Sequence, residues 1–198
     1  MLVPVKAFGR AKGRLDGHLQ ADERSRLARA MAEVVLHAAE PLGVVVVCDD
    51  DEVAAWARSR GAAVAWTPDL DLNGALDAAV ERVAASGVPR AVIVHADLPF
   101  ARDLARLADV ADDTVVLVGD RHGEGTNAMS VPTDGRMAMK FGPGSLALHR
   151  VAAASAGLHT EVLDDERLAW DIDEPADLDT PPHLGPLPEH ATSGEPAK

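Results

Sequence analysis

The chain has 198 residues, 47% of them hydrophobic but 3% aromatic, and a formal net charge of −13. That length predicts one domain, with a core of Val, Leu and Ala. The acidity excludes a surface that coats nucleic acid, which needs a basic face, yet a few local cations can still serve a small anionic substrate in one cleft.

Residues 1–5 read as a first strand. The loop from Lys6 to Arg14 then carries four cations and two glycines in nine residues, in a chain that is otherwise acidic. Glycines let backbone approach phosphate oxygens, and Lys and Arg neutralise them. The spacing is not that of a P-loop. Helical spacing of Leu27, Met31, Val34, Val35 and Ala38 predicts a helix over 22–40 with Asp22 as N-cap. The apolar run 44–48 predicts a buried strand, and Cys48 within it reads as a small hydrophobe rather than a nucleophile. Asp49-Asp50-Asp51 suit the start of a helix over 52–60, although three adjacent acids could also bind a cation. A third strand follows over 62–66, and a helix over 75–85.

The stretch Ala91-Val92-Ile93-Val94-His95-Ala96-Asp97-Leu98-Pro99-Phe100 opens on a fully buried strand. Asp97 stands just past its carboxyl end, where open α/β sheets bind ligands. The alternative is that Asp97 caps a helix starting near Pro99 and running over 101–108. A strand over 114–119 leads into a second glycine loop, Asp120 to Asn127, and a short strand over 128–131. A third glycine loop, Phe141-Gly142-Pro143-Gly144-Ser145, precedes a helix to about 156, whose start offers free amides to an anion unless Ser145 merely caps it. Late strands are predicted over 160–163 and 168–172, the second ending in Asp171-Ile172-Asp173-Glu174-Pro175. The alternation predicts an α/β fold, a mixed, mostly parallel sheet with helices on both faces. Residues 1–179 form the expected single domain. The Pro-, Gly- and Glu-rich stretch 180–198 reads as a disordered tail whose deletion leaves stability unchanged. No signal-peptide pattern opens the chain and no apolar run reaches membrane-spanning length, so a soluble cytoplasmic protein is expected.

Two separated acidic strand ends and a basic loop suggest magnesium-assisted handling of phosphates, since Mg²⁺ is held by one or two carboxylates together with substrate phosphates. Sequence spacing does not show whether Asp97 meets Asp171 or Asp173.

Five motifs in order carry a resemblance that spans residues 2–179. They are Val3 to Lys6 with Ala11 to Leu15, His95 to Pro99, Asp120 to Ala128, Phe141 to Ser145, and Asp171 to Pro175. Together they resemble the 2-phospho-L-lactate or phosphoenolpyruvate guanylyltransferases of deazaflavin coenzyme factor 420 biosynthesis. These are MobA-like nucleotidyltransferases with a Rossmann-like fold of the GT-A, nucleotide-diphospho-sugar transferase type. The resemblance implies transfer of GMP from GTP to a small phosphorylated three-carbon acid, with release of pyrophosphate. It implies that Asp97 and an acid of the pair Asp171 and Asp173 hold Mg²⁺, with Asp171 preferred. Lys6, Lys12 and Arg14 would neutralise the GTP phosphates, Lys12 and Arg14 also serving the leaving pyrophosphate. Asn73, in a Leu-Asn-x-Ala-Leu segment, would lie near the base. Thr126, Gly142 and Ser145 would receive the carboxylate and phosphate of the acid. A downstream transferase that consumes the labile product is the expected partner. Glu174-Pro175 stands where the family usually has Thr-Pro.

The competing readings are a nucleotidyltransferase for a molybdenum cofactor or a sugar phosphate, a GT-A glycosyltransferase using Asp49-Asp50-Asp51, and a catalytically silent nucleotide binder.

Overall fold

A computed structural model describes residues 1–40 and 42–188. In chain order it contains β1 (Leu2–Pro4), α1 (Ala21–Ala38), β2 (Val45–Cys48), α2 (Asp51–Ser59), β3 (Ala63–Trp66), α3 (Leu72–Ala85), β4 (Arg90–Val94), β5 (Thr114–Gly119), β6 (Thr126–Pro132), α4 (Ser145–Ser155), β7 (His159–Val162) and α5 (Glu166–Ala169). Short 3₁₀ turns lie at Phe8–Arg10, Gly13–Leu15, Leu104–Ala108 and Pro175–Leu178.

The strands form one sheet in the order β3-β2-β1-β4-β6-β5-β7. All pairings are parallel except those of β6, which runs antiparallel between β4 and β5. The period of two along each strand divides the core between the two faces. On β4, Val92 and Val94 pack on one face with Val35 of α1 and Val53 of α2, while Ala91 and Ile93 pack on the other with Leu76 of α3 and Ala153 of α4. Helices therefore cover both faces of a mostly parallel sheet, as the alternation predicts. A third, small cluster of Leu15, Leu27, Met31 and Ile172 joins the first loop, α1 and the acidic segment.

Several boundaries differ from those expected. α1 begins at Ala21 because Glu23 reaches back to the Gln20 amide at 2.7 Å, so Asp22 is not the cap. α3 begins at Leu72, where Asp71 accepts from the Gly74 amide at 2.8 Å. Only a 3₁₀ turn forms within 101–108. The predicted strand over 168–172 is absent. Asp165 accepts from the amides of Arg167 and Leu168 at 2.9 and 3.1 Å and starts α5 instead, and the chain then runs extended without a strand partner. Its apolar residues are buried for another reason, since Ile172 is fully enclosed in the third cluster. The expected disordered tail does not begin at Thr180 either. Leu184 is buried, its carbonyl accepts from Arg167 at 3.3 Å, and Leu187 packs on the third cluster. Residues 189–198 lie outside the described residues. Among the described residues no helix is long and apolar enough to cross a membrane.

Candidate active site

The strand order reverses between β1 and β4, which are neighbours in the sheet although far apart in sequence. A crevice opens beyond the carboxyl ends of strands at such a point. Here it is a cleft of about 430 Å³, walled by the loop after β1 and the loop after β4. Lys6, Arg10, Lys12 and Arg14 line it beside His95, Asp97 and Asp173, with Pro4, Val5 and Leu72 supplying apolar wall.

The basic loop is pinned by its apolar residues. Phe8 is buried edge-on to Trp56 at 5.2 Å, and Leu15 is fully buried. Between these anchors Lys12 adopts φ +57°, the left-handed region. That conformation costs a non-glycine residue about 1–2 kcal/mol. It aims the side chain inward, where Lys12 Nζ donates to Asp97 Oδ2 at 2.6 Å and to Asp173 Oδ1 at 3.0 Å. Hydrogen bonds between charged groups contribute about 1.5–3 kcal/mol each, enough to offset the strain. Burial opposes the charge on Lys12, but the two carboxylates outweigh it and raise its pKa. Burial likewise opposes ionisation of Asp97, and the Lys12 ammonium outweighs it, holding this carboxyl below its ordinary range.

Asp97 is not a helix cap. Its Oδ1 is buried and has no hydrogen-bond partner among the described residues. The acidic segment is brought to it by the backbone, since the Ile172 amide donates to the Asp97 carbonyl at 3.3 Å. Asp171 accepts from Asn127 Nδ2 at 3.3 Å. Its pKa is pushed up to about 6, by burial first and by the Asp97 charge second. Asp173 is half exposed, and Arg14 Nη1 lies 3.8 Å from its Oδ2. The turn that presents these acids is held by Asp177. One oxygen of Asp177 accepts from the amides of Asp173 and Glu174, both at 2.7 Å. Its other oxygen pairs with Arg121, which stacks over Trp170. Glu174 is the residue preceding that 3₁₀ turn, so Asp173 is left to face Lys12.

Among the described residues no three His, Cys, Asp or Glu side chains converge to hold a metal ion by themselves. An enclosed carboxylate oxygen without a partner, beside a second carboxylate, nevertheless fits a hard divalent cation whose other ligands come from a bound phosphate. Asp49-Asp50-Asp51 offers no comparable set, because Asp50 accepts from the Val53 amide at 3.1 Å and caps α2.

The structure places the remaining candidates in a second cluster, reached from the cleft through a run of ring contacts, the first tilted and the second edge-on. His95 lies against Phe141 at 5.0 Å, and Phe141 against His149 at 4.8 Å. Asn73 does not face the cleft. It clamps the Phe141 backbone, accepting from its amide at 2.7 Å and donating to its carbonyl at 3.0 Å. Gly142 has φ +131°, which a side chain would strain, and Gly144 has φ +69°. Thr126 and Ser145 are buried together, their hydroxyl oxygens 3.3 Å apart. Ser145 is the first residue of α4 rather than its cap. The amides of Ser145 and Leu146 are already taken by the carbonyls of Gly142 and Glu124. The expected cradle of free amides is therefore not offered by these two, and the hydroxyls remain. Asp177, Arg121, Asn127 and His149 were assigned no role from sequence. Arg121 and Asn127 carried only their membership of the Asp120–Ala128 motif and His149 its place four residues after Ser145, while Asp177 lies outside every motif and carried no signal.

This geometry defines an α/β protein with carboxylates and cations gathered at a switch point of its sheet. Solved structures agree on the fold. A nucleotide-diphospho-sugar transferase from Desulfovibrio desulfuricans G20 matches with a TM-score of 0.71 at 19% identity, over 89% of this chain and 83% of that one. A nucleotidyl transferase from Methanothermobacter thermautotrophicus gives 0.61 at 17% identity, over 89% and 92%. The family described as guanylyl transferase CofC-like matches residues 1–180. The phosphoenolpyruvate guanylyltransferase of Sphaerobacter thermophilus is 35% identical over 98% of this chain and 96% of its own. The 2-phospho-L-lactate guanylyltransferase of Methanothermobacter thermautotrophicus is 32% identical over 89% and 81%. The chain belongs to the CofC-like guanylyl transferases, a family of nucleotidyltransferase enzymes.

Proposed function

We propose that this enzyme transfers the guanylyl group of GTP to phosphoenolpyruvate or 2-phospho-L-lactate. A phosphate oxygen of the acid attacks the α-phosphorus of GTP. The bond from that phosphorus to the bridging oxygen breaks, and pyrophosphate leaves. The observation that carries this reading is the pair of carboxylates, Asp97 and Asp173, bridged by Lys12 in a cleft that also holds Lys6 and Arg14. Phosphoryl and nucleotidyl transfer need alignment and charge neutralisation rather than a covalent intermediate.

Asp97 and Asp171 are the residues that would hold Mg²⁺, which supplies charge neutralisation at the transferred phosphate. Asp173 then keeps Lys12 aimed into the cleft. Lys12 stabilises charge on the leaving pyrophosphate, and Arg14, largely exposed and loosely held, closes over the phosphates with Lys6. Asn73 acts on the base indirectly, by fixing Phe141. Thr126, Gly142 and Ser145 receive the acid. The free, buried Cys48 suits a cytoplasmic setting. A transferase that consumes the product diphosphate is the expected partner, and factor 420 biosynthesis the expected pathway.

Mass spectrometry of the product tests this reading. Incubation with GTP, Mg²⁺ and each acid should give one guanosine diphosphate ester of that acid, and CTP or ATP in place of GTP should give little. A nucleotidylated sugar phosphate or molybdenum cofactor, with neither acid accepted, would overturn it.

A further inference from the structure

One buried imidazole takes no part in the chemistry above. His149 is fully buried on α4, one turn after Ser145 and on the same face. Its Nε2 lies 2.9 Å from the Lys140 amide nitrogen, which can only donate. Nε2 is therefore bare. Burial, then the charges of His95 and Lys140, push the ring's pKa down to about 4. At neutral pH the ring is uncharged and carries its one proton on Nδ1. Nδ1 lies 3.0 Å from Thr126 Oγ1, so the imidazole donates and the threonine accepts.

Thr126 Oγ1 also meets Ser145 Oγ at 3.3 Å. These two hydroxyls own two protons. One lies between them, and the other has no protein acceptor among the described residues. We propose that His149 is a positioning residue for the acid substrate. Held as the Nδ1–H tautomer by the Lys140 amide, it turns the Thr126–Ser145 pair into a net hydrogen-bond donor toward an anionic oxygen. The inference rests on the reading that this pair receives the acid. With the opposite tautomer the chain of hydroxyls would run the other way and present lone pairs, which repel a carboxylate or phosphate. The edge-on contact between Phe141 and the His149 ring helps to hold its orientation.

Two measurements on the full chain test this. The first is the imidazole ¹⁵N spectrum of the wild type at pH 7, with His149 assigned by its loss in His149→Gln. Nδ1 should be protonated and Nε2 bare, and an Nε2–H tautomer overturns the proposal. The second compares KM for the acid in two variants. His149→Asn keeps an amide donor near the Nδ1 position, whereas His149→Gln keeps an acceptor near Nε2 and loses that donor. His149→Gln should raise the KM roughly 10–100-fold, the equivalent of one hydrogen bond to a charged group, with KM for GTP and kcat little changed. His149→Asn should stay within roughly threefold of wild type, well below 1.4 kcal/mol. Equal KM values in the two variants, or a loss confined to melting temperature, overturn the proposal. Absence of acid-dependent release from the wild type marks failure of the functional reading itself, and takes this inference with it. An active wild type with the wrong tautomer marks failure of this inference alone.

Discussion

Asp97 and Asp171 show one site asking opposite things of two carboxylates. Lys12 holds Asp97 ionised, while Asp171, buried beside that charge, has its pKa raised to about 6. A carboxyl whose folded pKa lies above its ordinary 3.8 binds more protons folded than unfolded. Its destabilising effect therefore grows as pH rises from about 4 to 6 and is complete above that window. Asp171→Asn should be more stable than wild type at pH 7 by about 1–2 kcal/mol, after discounting for partial exposure. That is roughly 2–8 °C in Tm for a chain of this size. Thermal melts at pH 7 and pH 4 check it, and the gain should vanish at pH 4. A variant that gains stability while losing turnover would mark Asp171 as a residue kept charged for function.

The elements show where sequence reading succeeds and where it stops. The position of Asp97 just past the carboxyl end of a buried strand was legible from the β-branched run before it, but that run left open whether the acid faces a ligand or caps a helix. The run Leu168-Ala169-Trp170-Asp171-Ile172 was misread because a segment packed on its neighbours by side chains carries the same apolar signal as a strand. What separates the two is where the backbone bonds go. Here they go to Asp165, to the Arg121 amide and to the Asp97 carbonyl, and these partners are invisible from spacing. The left-handed turn at Lys12 was illegible for a similar reason, since a lysine gives no sign that tertiary contacts will hold it there. Asp177→Asn keeps an oxygen for the two amides but faces Arg121 with a donor and breaks the buried pair. It should cost about 3 kcal/mol, seen in urea as a lower midpoint with an unchanged slope. The Asp177 carboxyl is held below its ordinary 3.8, against burial, by the two amides and Arg121. Its contribution is therefore present above that value and lost as pH falls below it. An unchanged midpoint would remove Asp177 from the account of how the acidic turn is held.

At the scale of the molecule, the sheet order puts the first loop and the central strand side by side and makes one cleft from residues 85 positions apart, Lys12 and Asp97. The mostly parallel sheet and its helices were legible from alternation alone. Which strand breaks the parallel run was not, because pairing direction leaves no mark on a short apolar run such as β6. The C-terminal segment up to 188 belongs to the folded unit. Deleting 181–198 should lower stability by about 1.5–3 kcal/mol through loss of buried Leu184, and an unchanged Tm would return the segment to the status of a loose tail.

The central claim is that Asp97 and its neighbours align GTP for attack by a phosphorylated acid. Pyrophosphate release from GTP and Mg²⁺ tests it most directly, with phosphoenolpyruvate, 2-phospho-L-lactate and no acceptor run in parallel on the wild type and on Asp97→Asn. Release should depend on one of the acids and fall at least about 10²-fold in the variant, with its fold intact. Release that ignores both acids, or an Asp97→Asn enzyme as fast as the wild type, would contradict the account.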